Sequence, residues 1–231
     1  MDWSAVAGTL VYKNNNLYLN IIVKKDAPKQ DRYTEKEVLG IDRGINNILV
    51  CSNNQFFNSK KLKAIKGRYQ YLKKMLQSKG TPSARRKLQK ISSRERRFVT
   101  DTNHRLSKVI AESDFKVFAI EKLTRMNHKR LGKRFNRQLG NWSFRQFETF
   151  LEYKSEALGK KIMRVNPRYT SQKCSNCHKI HKSNRNGSWY SCNCGFQLHA
   201  DLNASRNIAD IGMSEISRLS VNQPNVMVRS Q

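Results

Sequence analysis

A chain of 231 residues with 38% hydrophobic content is long enough for one core plus a small satellite module, with much of its surface charged. Its 45 Lys and Arg against 17 Asp and Glu leave a formal net charge of +28, which repels itself unless it meets a polyanion; nucleic acid is the leading partner. No apolar run of about 18 residues, secretory signal or lipidation motif accompanies that charge, so a membrane partner is not expected.

In chain order, "GTLVYKNNNLYLNIIVKK" reads as a β-hairpin turning at Asn14, Asn15 and Asn16. The polar linker "DAPKQDRYTEK" follows, then "EVLGIDRGINNILVCSNNQFFNS", three short strands of an antiparallel meander. Leu62, Ile65, Tyr69, Leu72 and Leu76 recur at helical spacing. That helix stops at Gly80, and Thr81 as N-cap with Pro82 at the first helical position starts the next. This second region turns Leu88, Ile91 and Phe98 inward, and "NHRLSKVIAES" continues as a third helical segment. Their other faces are dense in Lys and Arg and suit phosphate contact better than a merely solvated surface. "FKVFAIEKL" is a strand, and "TRMNHKRLGKRFNRQLG" is a basic loop or fraying helix. An amphipathic helix then carries Trp142, Phe144, Phe147, Phe150, Leu151 and Leu158 as core candidates. "KKIMRVNP" is a strand, "ADLNASRNIADIG" a final helix, and residues 214–231 a patternless tail expected to be mobile.

The odd cysteine count, with one residue isolated and four in short pairs, argues for a metal site rather than a disulfide framework. Cys51 sits in "NNILVCS" and reads as a small core residue. Cys174-x-x-Cys177 and Cys192-x-Cys194 offer four thiolates from two turns, a closed structural Zn²⁺ ribbon. His178, His181 and His199 are alternative ligands. Three acids stand out by position: Asp42 ends the strand "VLGI", Glu121 ends "FKVFAI", and Asp201 opens the last helix. Each has a plain reading on its own, as a turn residue, an edge glutamate or a helix cap. Together, acids at the ends of strands in one sheet converge, and three carboxylates suit a two-Mg²⁺ site whose ions lie about 4 Å apart. The element order matches an RNase H-like nuclease core, an analogy at the level of fold.

"VLGIDRGINNILV", "FKVFAIEKL" and "TSQKCSNCHKI…YSCNCGFQLHADLNASRNIA" closely resemble the three RuvC motifs and inserted zinc ribbon of TnpB (OrfB-type) proteins, transposon-encoded relatives of the compact type V CRISPR nucleases. "TDTNHRLSKVI" and "GNWSFRQFETFLEYKSEALGKKIMRVNPRYTSQKCS" resemble the family's helical insert and its run into the ribbon, so the resemblance covers about residues 35–210. It implies an α/β fold: an RNase H-like (RuvC) core over 35–169 with a helical insert at about 60–113, a zinc ribbon at 170–198, and a final helix at 199–213. Residues 1–34 would be a β-hairpin remnant of a wedge-type barrel. The resemblance also implies Asp42, Glu121 and Asp201 as catalytic acids holding Mg²⁺, with Mn²⁺ able to replace it, and Cys174, Cys177, Cys192 and Cys194 as zinc ligands. The implied activity is RNA-guided DNA endonuclease rather than strand transfer. Its partners would be a DNA target and a guide RNA from the element itself, in a prokaryotic cytoplasm at the nucleoid.

Family proteins usually carry a sizeable N-terminal half, and here a second polypeptide supplying it is one expectation. The alternative is a truncated, cleavage-deficient derivative that binds nucleic acid through its basic helices. A zinc-ribbon protein of the ribosome or transcription machinery would explain the charge and cysteines but leaves Asp42 and Glu121 without a role.

Overall fold

The computed structural model of the chain describes residues 3–13, 15–26, 28, 33–122 and 143–221. The basic stretch 124–140, Trp142 and residues 222–231 lie outside the described residues, as does the turn residue Asn14.

Strands β1 (Ser4–Lys13) and β2 (Asn16–Lys24) form an antiparallel ribbon of their own, closed at Asn15 with φ of 63°. Pairing sets Leu10 against Leu19 and Tyr12 against Leu17 on one face. All four side chains are exposed. A two-stranded ribbon with an uncovered apolar face is marginal in water by itself.

The main body is a five-stranded sheet of β3 (Val38–Arg43), β4 (Asn47–Cys51), β5 (Phe56–Asn58), β6 (Val117–Glu121) and β7 (Lys161–Val165), ordered β5-β4-β3-β6-β7. The meander β3-β4-β5 is antiparallel, whereas β6 and β7 run parallel to β3. Parallel pairing requires a crossover, supplied between β5 and β6 by helices α1 (Lys60–Lys79) and α2 (Pro82–Ala111). Gly80 takes the left-handed conformation that ends α1, and Thr81 caps α2 by accepting the Ala84 N–H at 3.2 Å, with Pro82 in the first turn. The expected third helical segment is the last part of α2, which runs unbroken for 30 residues; no Gly or Pro interrupts it.

Side chains alternate across the sheet, and both faces are covered. Leu39, Ile41, Phe118 and Ile120 face α2 and α3 (Phe144–Ala157), packing with Val99, Ile110, Phe147 and Leu151. Val38, Val117, Ala119 and Val165 face α4 (Ala200–Val221), packing with Ile208 and Ile216. Cys51 is fully buried in the first cluster, and burial pushes its thiol up to about 12, as expected of an inert core cysteine. Leu158 is not a core residue: it sits just past the end of α3, 44% exposed. The chain does not become patternless at 214 either. Helix α4 continues to Val221 because Ile216 completes its apolar stripe against the sheet.

Helix α4 crosses β3 at van der Waals limits. A Cβ at Gly40 would lie 2.0 Å from the Ser205 carbonyl oxygen and 2.5 Å from the Ala209 nitrogen, both backbone atoms. Seven residues past Ser205, about two turns, a Cβ at Gly212 would meet the Ala119 Cβ at 2.8 Å. Gly40→Ala should therefore displace the helix and cost about 3 kcal/mol or more in urea unfolding, on the scale of severe overpacking. Gly67→Ala, on α1 with open space around it, should gain about 0.5–1 kcal/mol. Equal effects at the two sites would contradict this packing.

Candidate metal-dependent nuclease site

The side-chain alternation that buries Leu39, Ile41, Phe118 and Ile120 on one face sends Gly40, Asp42, Ala119 and Glu121 to the other, where α4 lies. Asp42 and Glu121 therefore stand at the C-terminal ends of neighbouring parallel strands. Asp201, in the first turn of α4, joins them. All three line a single cleft of about 610 Å³, open to solvent at the end of the sheet where ligands of α/β folds bind.

Their proximity has an electrostatic consequence. Burial, then the negative charges of Glu121 and Asp201, push the Asp42 carboxyl up from 3.8 to about 7, against the opposing pull of Arg185. Glu121 is held from both ends: its Oε1 accepts the Thr170 hydroxyl at 2.5 Å, and its backbone carbonyl accepts from Arg43 Nη2. The Arg43 guanidinium also pairs with Glu148 of α3 at 2.9 Å, and Arg164 of β7 bonds the other oxygen of Glu148 at 2.6 Å. The Asp201 carboxylate is engaged away from its own helix. Its Oδ1 lies 2.9 Å from Arg185 Nη2 and its Oδ2 accepts from Asn47 Nδ2 at 3.2 Å, while its N–H donates to His199 Nδ1. Arg185, Thr170 and Asn47 were not legible as site residues. Arg185 lies between the cysteine pairs with nothing in its spacing to mark it, and Thr170 is one hydroxyl in a turn.

The cysteines occupy a small module of β8 (Arg185–Asn186), β9 (Trp189–Ser191) and β10 (Gln197–His199), a three-stranded antiparallel sheet ordered β10-β9-β8. The sulfurs of Cys174, Cys177, Cys192 and Cys194 all lie within 4.8 Å of one another. Cys174 and Cys194 are 3.9 Å apart, and Cys177 and Cys192 are 3.6 Å apart. Those distances exclude disulfides, whose sulfurs sit at about 2.05 Å. They bracket the edge of about 3.8 Å that four thiolates describe around a tetrahedral ion with 2.3 Å bonds. A backbone hydrogen bond from Phe196 helps hold the Cys194 thiol down at about 7, whereas burial and the neighbouring thiols push Cys192 up to about 11, so the first thiolate forms at Cys194. The three alternative histidines are engaged elsewhere: His178 faces Asp210 at 3.6 Å, His181 accepts from Ser183, and His199 accepts from Asp201.

This module is fastened to α4 beside the cleft. Fully buried Asn203 donates to the Lys173 carbonyl and accepts the Ser175 N–H, and fully buried Asn207 donates to the carbonyls of Thr170 and Lys173. Two asparagines thus lock both the turn that presents Thr170 to Glu121 and the first cysteine knuckle.

Among the described residues, the cysteines alone reach such mutual closeness; the three carboxylates share their cleft at wider spacing. Their all-oxygen donor set suits hard divalent cations. In metal-free buffer Asp42 binds its proton more tightly folded than unfolded, so it lowers stability as pH rises from about 4 through about 7. The stability gained by Asp42→Asn over wild type in EDTA should grow across that window by up to a few kcal/mol, each tenfold change in proton affinity being about 1.4 kcal/mol. Chemical denaturation at several pH values reads it, and a pH-independent difference would contradict the carboxylate cluster.

Comparison with known proteins follows the same division. The Cas12f1-like TNB domain model matches residues 144–208, and the OrfB_IS605 probable transposase model matches residues 20–131. The CRISPR-associated endodeoxyribonuclease Cas12f1 of Sulfoacidibacillus thermotolerans is 37% identical over 130 residues, 54% of this chain and 30% of that protein. A TnpB-like protein of Methanocaldococcus jannaschii is 30% identical over 126 residues, 52% of this chain and 45% of that protein. The chain thus spans less than half the length of these relatives. Among solved structures, the cryo-EM structure of a Cas12f1–sgRNA–target DNA complex superposes with a TM-score of 0.62 at 20% identity, over 87% of this chain and 55% of that one, a likeness of fold. No helix among the described residues is long and apolar enough to cross a membrane. With one model matching residues 20–131 and the other residues 144–208, the chain resembles the OrfB-type, TnpB-like and Cas12f1 proteins across both of those parts.

Proposed function

We propose that this chain carries the cleavage centre of an RNA-guided DNA endonuclease, with an RNase H-like RuvC core at 35–169, a helical insert at about 60–113, a zinc ribbon at 170–198 and a closing helix that opens with Asp201. The observation that carries it is the single cleft lined by Asp42, Glu121 and Asp201, in which burial and then the other two carboxylates raise the proton affinity of Asp42. Asp42, Glu121 and Asp201 would hold two Mg²⁺ ions, with Mn²⁺ able to replace them. Bound there, the ions supply an activated water and charge neutralisation at the leaving 3′ oxygen.

The protein's own part is positional. The Thr170 hydroxyl fixes one Glu121 oxygen, while Asn47 orients Asp201. Arg185, on the same wall, brings a guanidinium into hydrogen-bond reach of an incoming phosphodiester. Cys174, Cys177, Cys192 and Cys194 would hold Zn²⁺ as a closed structural site, which keeps Arg185 at the cleft. Guide RNA and target DNA are the partners of the Cas12f1 complex that shares this fold, and we assign the same classes of partner here. The exposed apolar face of the β1–β2 ribbon supports packing against further strands, supplied by a segment or a second polypeptide outside these residues.

The exposed basic residues along α1 and α2 support a second reading, a nucleic-acid-binding derivative without cleavage. One assay decides: protein co-expressed with its flanking genomic DNA, incubated with single-stranded and plasmid DNA in Mg²⁺ or EDTA. Metal-dependent cutting that falls at least about a hundredfold in Asp42→Ala and in Glu121→Ala, with binding unchanged, supports the nuclease. Full binding with no cutting by folded wild type supports the derivative, and cutting retained in both variants removes the site assignment. Cys174→Ser should reduce zinc from one per chain to none in elemental analysis and loosen the ribbon; a full complement of zinc would refute the ligand set.

A further inference from the structure

Away from the catalytic cleft, α1 and α2 enclose a groove of about 900 Å³. Its rim carries Arg68 from α1 and Arg86, Lys87, Lys90 and Arg94 from α2, all exposed. Its floor is apolar, built from Ile65, Tyr69, Leu72, Ile91 and Phe98. Among the described residues, no carboxylate lines it. The nearby acids are turned elsewhere: Glu95 pairs with Lys73 at 2.5 Å and Lys66 at 3.9 Å, and Asp101 pairs with Arg105 at 3.1 Å. Charge is therefore sorted across this helical hairpin, with its ion pairs outside the groove. Among the described residues, none of the five rim cations makes an ion pair.

We propose that this groove is a track for one unpaired nucleic-acid strand, with phosphates on the basic rim and base faces against the apolar floor. The inference goes beyond the nuclease reading and does not depend on cleavage. Three features select this occupant. Arg86, Lys90 and Arg94 recur every four residues along one helix line, a cation about every 6 Å, which is a repeat on the scale of one nucleotide. Three of the five rim cations are arginines, whose planar forks match phosphate oxygens. A duplex would offer its phosphates to the rim and leave the floor without a partner, whereas an unpaired strand has base faces to lay on Tyr69 and its aliphatic neighbours. An acidic amphipathic peptide is the competing occupant, and the test includes it.

Fluorescence anisotropy of the full chain in EDTA would follow binding of an oligothymidylate, an oligouridylate and a blunt duplex of equal length, over a range of salt. Cleavage is silent in EDTA, so a failed nuclease reading leaves this result intact. Arg86→Glu/Lys90→Glu/Arg94→Glu should weaken single-strand binding more than about tenfold and lower the salt slope by about 2, at roughly 0.7 per phosphate contact. Tyr69→Ala should weaken it about fivefold or more, and Tyr69→Phe should restore it, because stacking needs the ring and not the hydroxyl. Lys61→Glu/Lys74→Glu, exposed on α1 outside the groove, should change affinity far less than the triple variant. With wild type, photocrosslinking to a bromodeoxyuridine strand should map to α1 and α2, a readout that needs no variant to fold. Crosslinks confined elsewhere, a triple variant no worse than the Lys61/Lys74 control, or indifference to Tyr69→Ala would overturn the proposal. So would a polyglutamate peptide that displaces the strand at equal charge, since the groove would then be a protein-docking surface.

Discussion

Helix α4 lies so close to strand β3 that only a hydrogen fits between them at Gly40, and the placement of every candidate ligand depends on that approach. Two residues beyond Gly40 on the same face of the strand is Asp42, and four residues before the contacted Ser205 on the helix is Asp201. The contact thus fixes both carboxylates at one end of the sheet. The parallel register of β6 against β3 brings Glu121 to the same level. The helix in turn holds the cysteine module through Asn203 and Asn207, so the module inherits its position from the same contact. A bulkier residue at Gly40 would separate the acids before it disturbed any of them chemically.

Electrostatics complement that geometry. A chain with a net charge of +28 can hold three carboxylates in one cleft because cations surround them: Arg185 pairs directly with Asp201, and Arg43 is sandwiched beneath between Glu148 and the end of β6. The arrangement remains frustrated, as the raised proton affinity of Asp42 shows. Divalent cations would relieve that frustration, which ties metal affinity to pH and gives the site a reason to be less than optimally stable. The helical hairpin of α1 and α2 sorts its charge in the opposite sense, placing its acids in ion pairs and leaving basic residues along the groove.

Much of this was legible in the residues. The apolar runs "VLGI" and "FKVFAI" predict strands ending in acids, Gly80-Thr81-Pro82 predicts the break between α1 and α2, and the two cysteine pairs predict a four-sulfur cluster. Each is a local pattern with a local physical cause. What the sequence hid is made by long-range contact. Arg185 reaches Asp201, Thr170 reaches Glu121, and Arg43 reaches Glu148 across gaps of 16, 49 and 105 residues, and nothing in the neighbourhood of any of them marks its partner. Leu158 looked apolar enough for the core but falls one residue past the helix that would have turned it inward. Residues 214–218 looked patternless because, among the described residues of that stretch, Ile216 is the one buried against the sheet.

The central claim is that one close helix–strand contact assembles a metal-binding triad of carboxylates beside a separate four-sulfur site. Anomalous diffraction from crystals soaked in Mn²⁺, recorded at the manganese and zinc edges, tests it most directly. The account predicts manganese peaks between Asp42, Glu121 and Asp201 and a zinc peak enclosed by Cys174, Cys177, Cys192 and Cys194. Manganese bound away from the carboxylates, with the cleft itself empty at saturating metal, would contradict it.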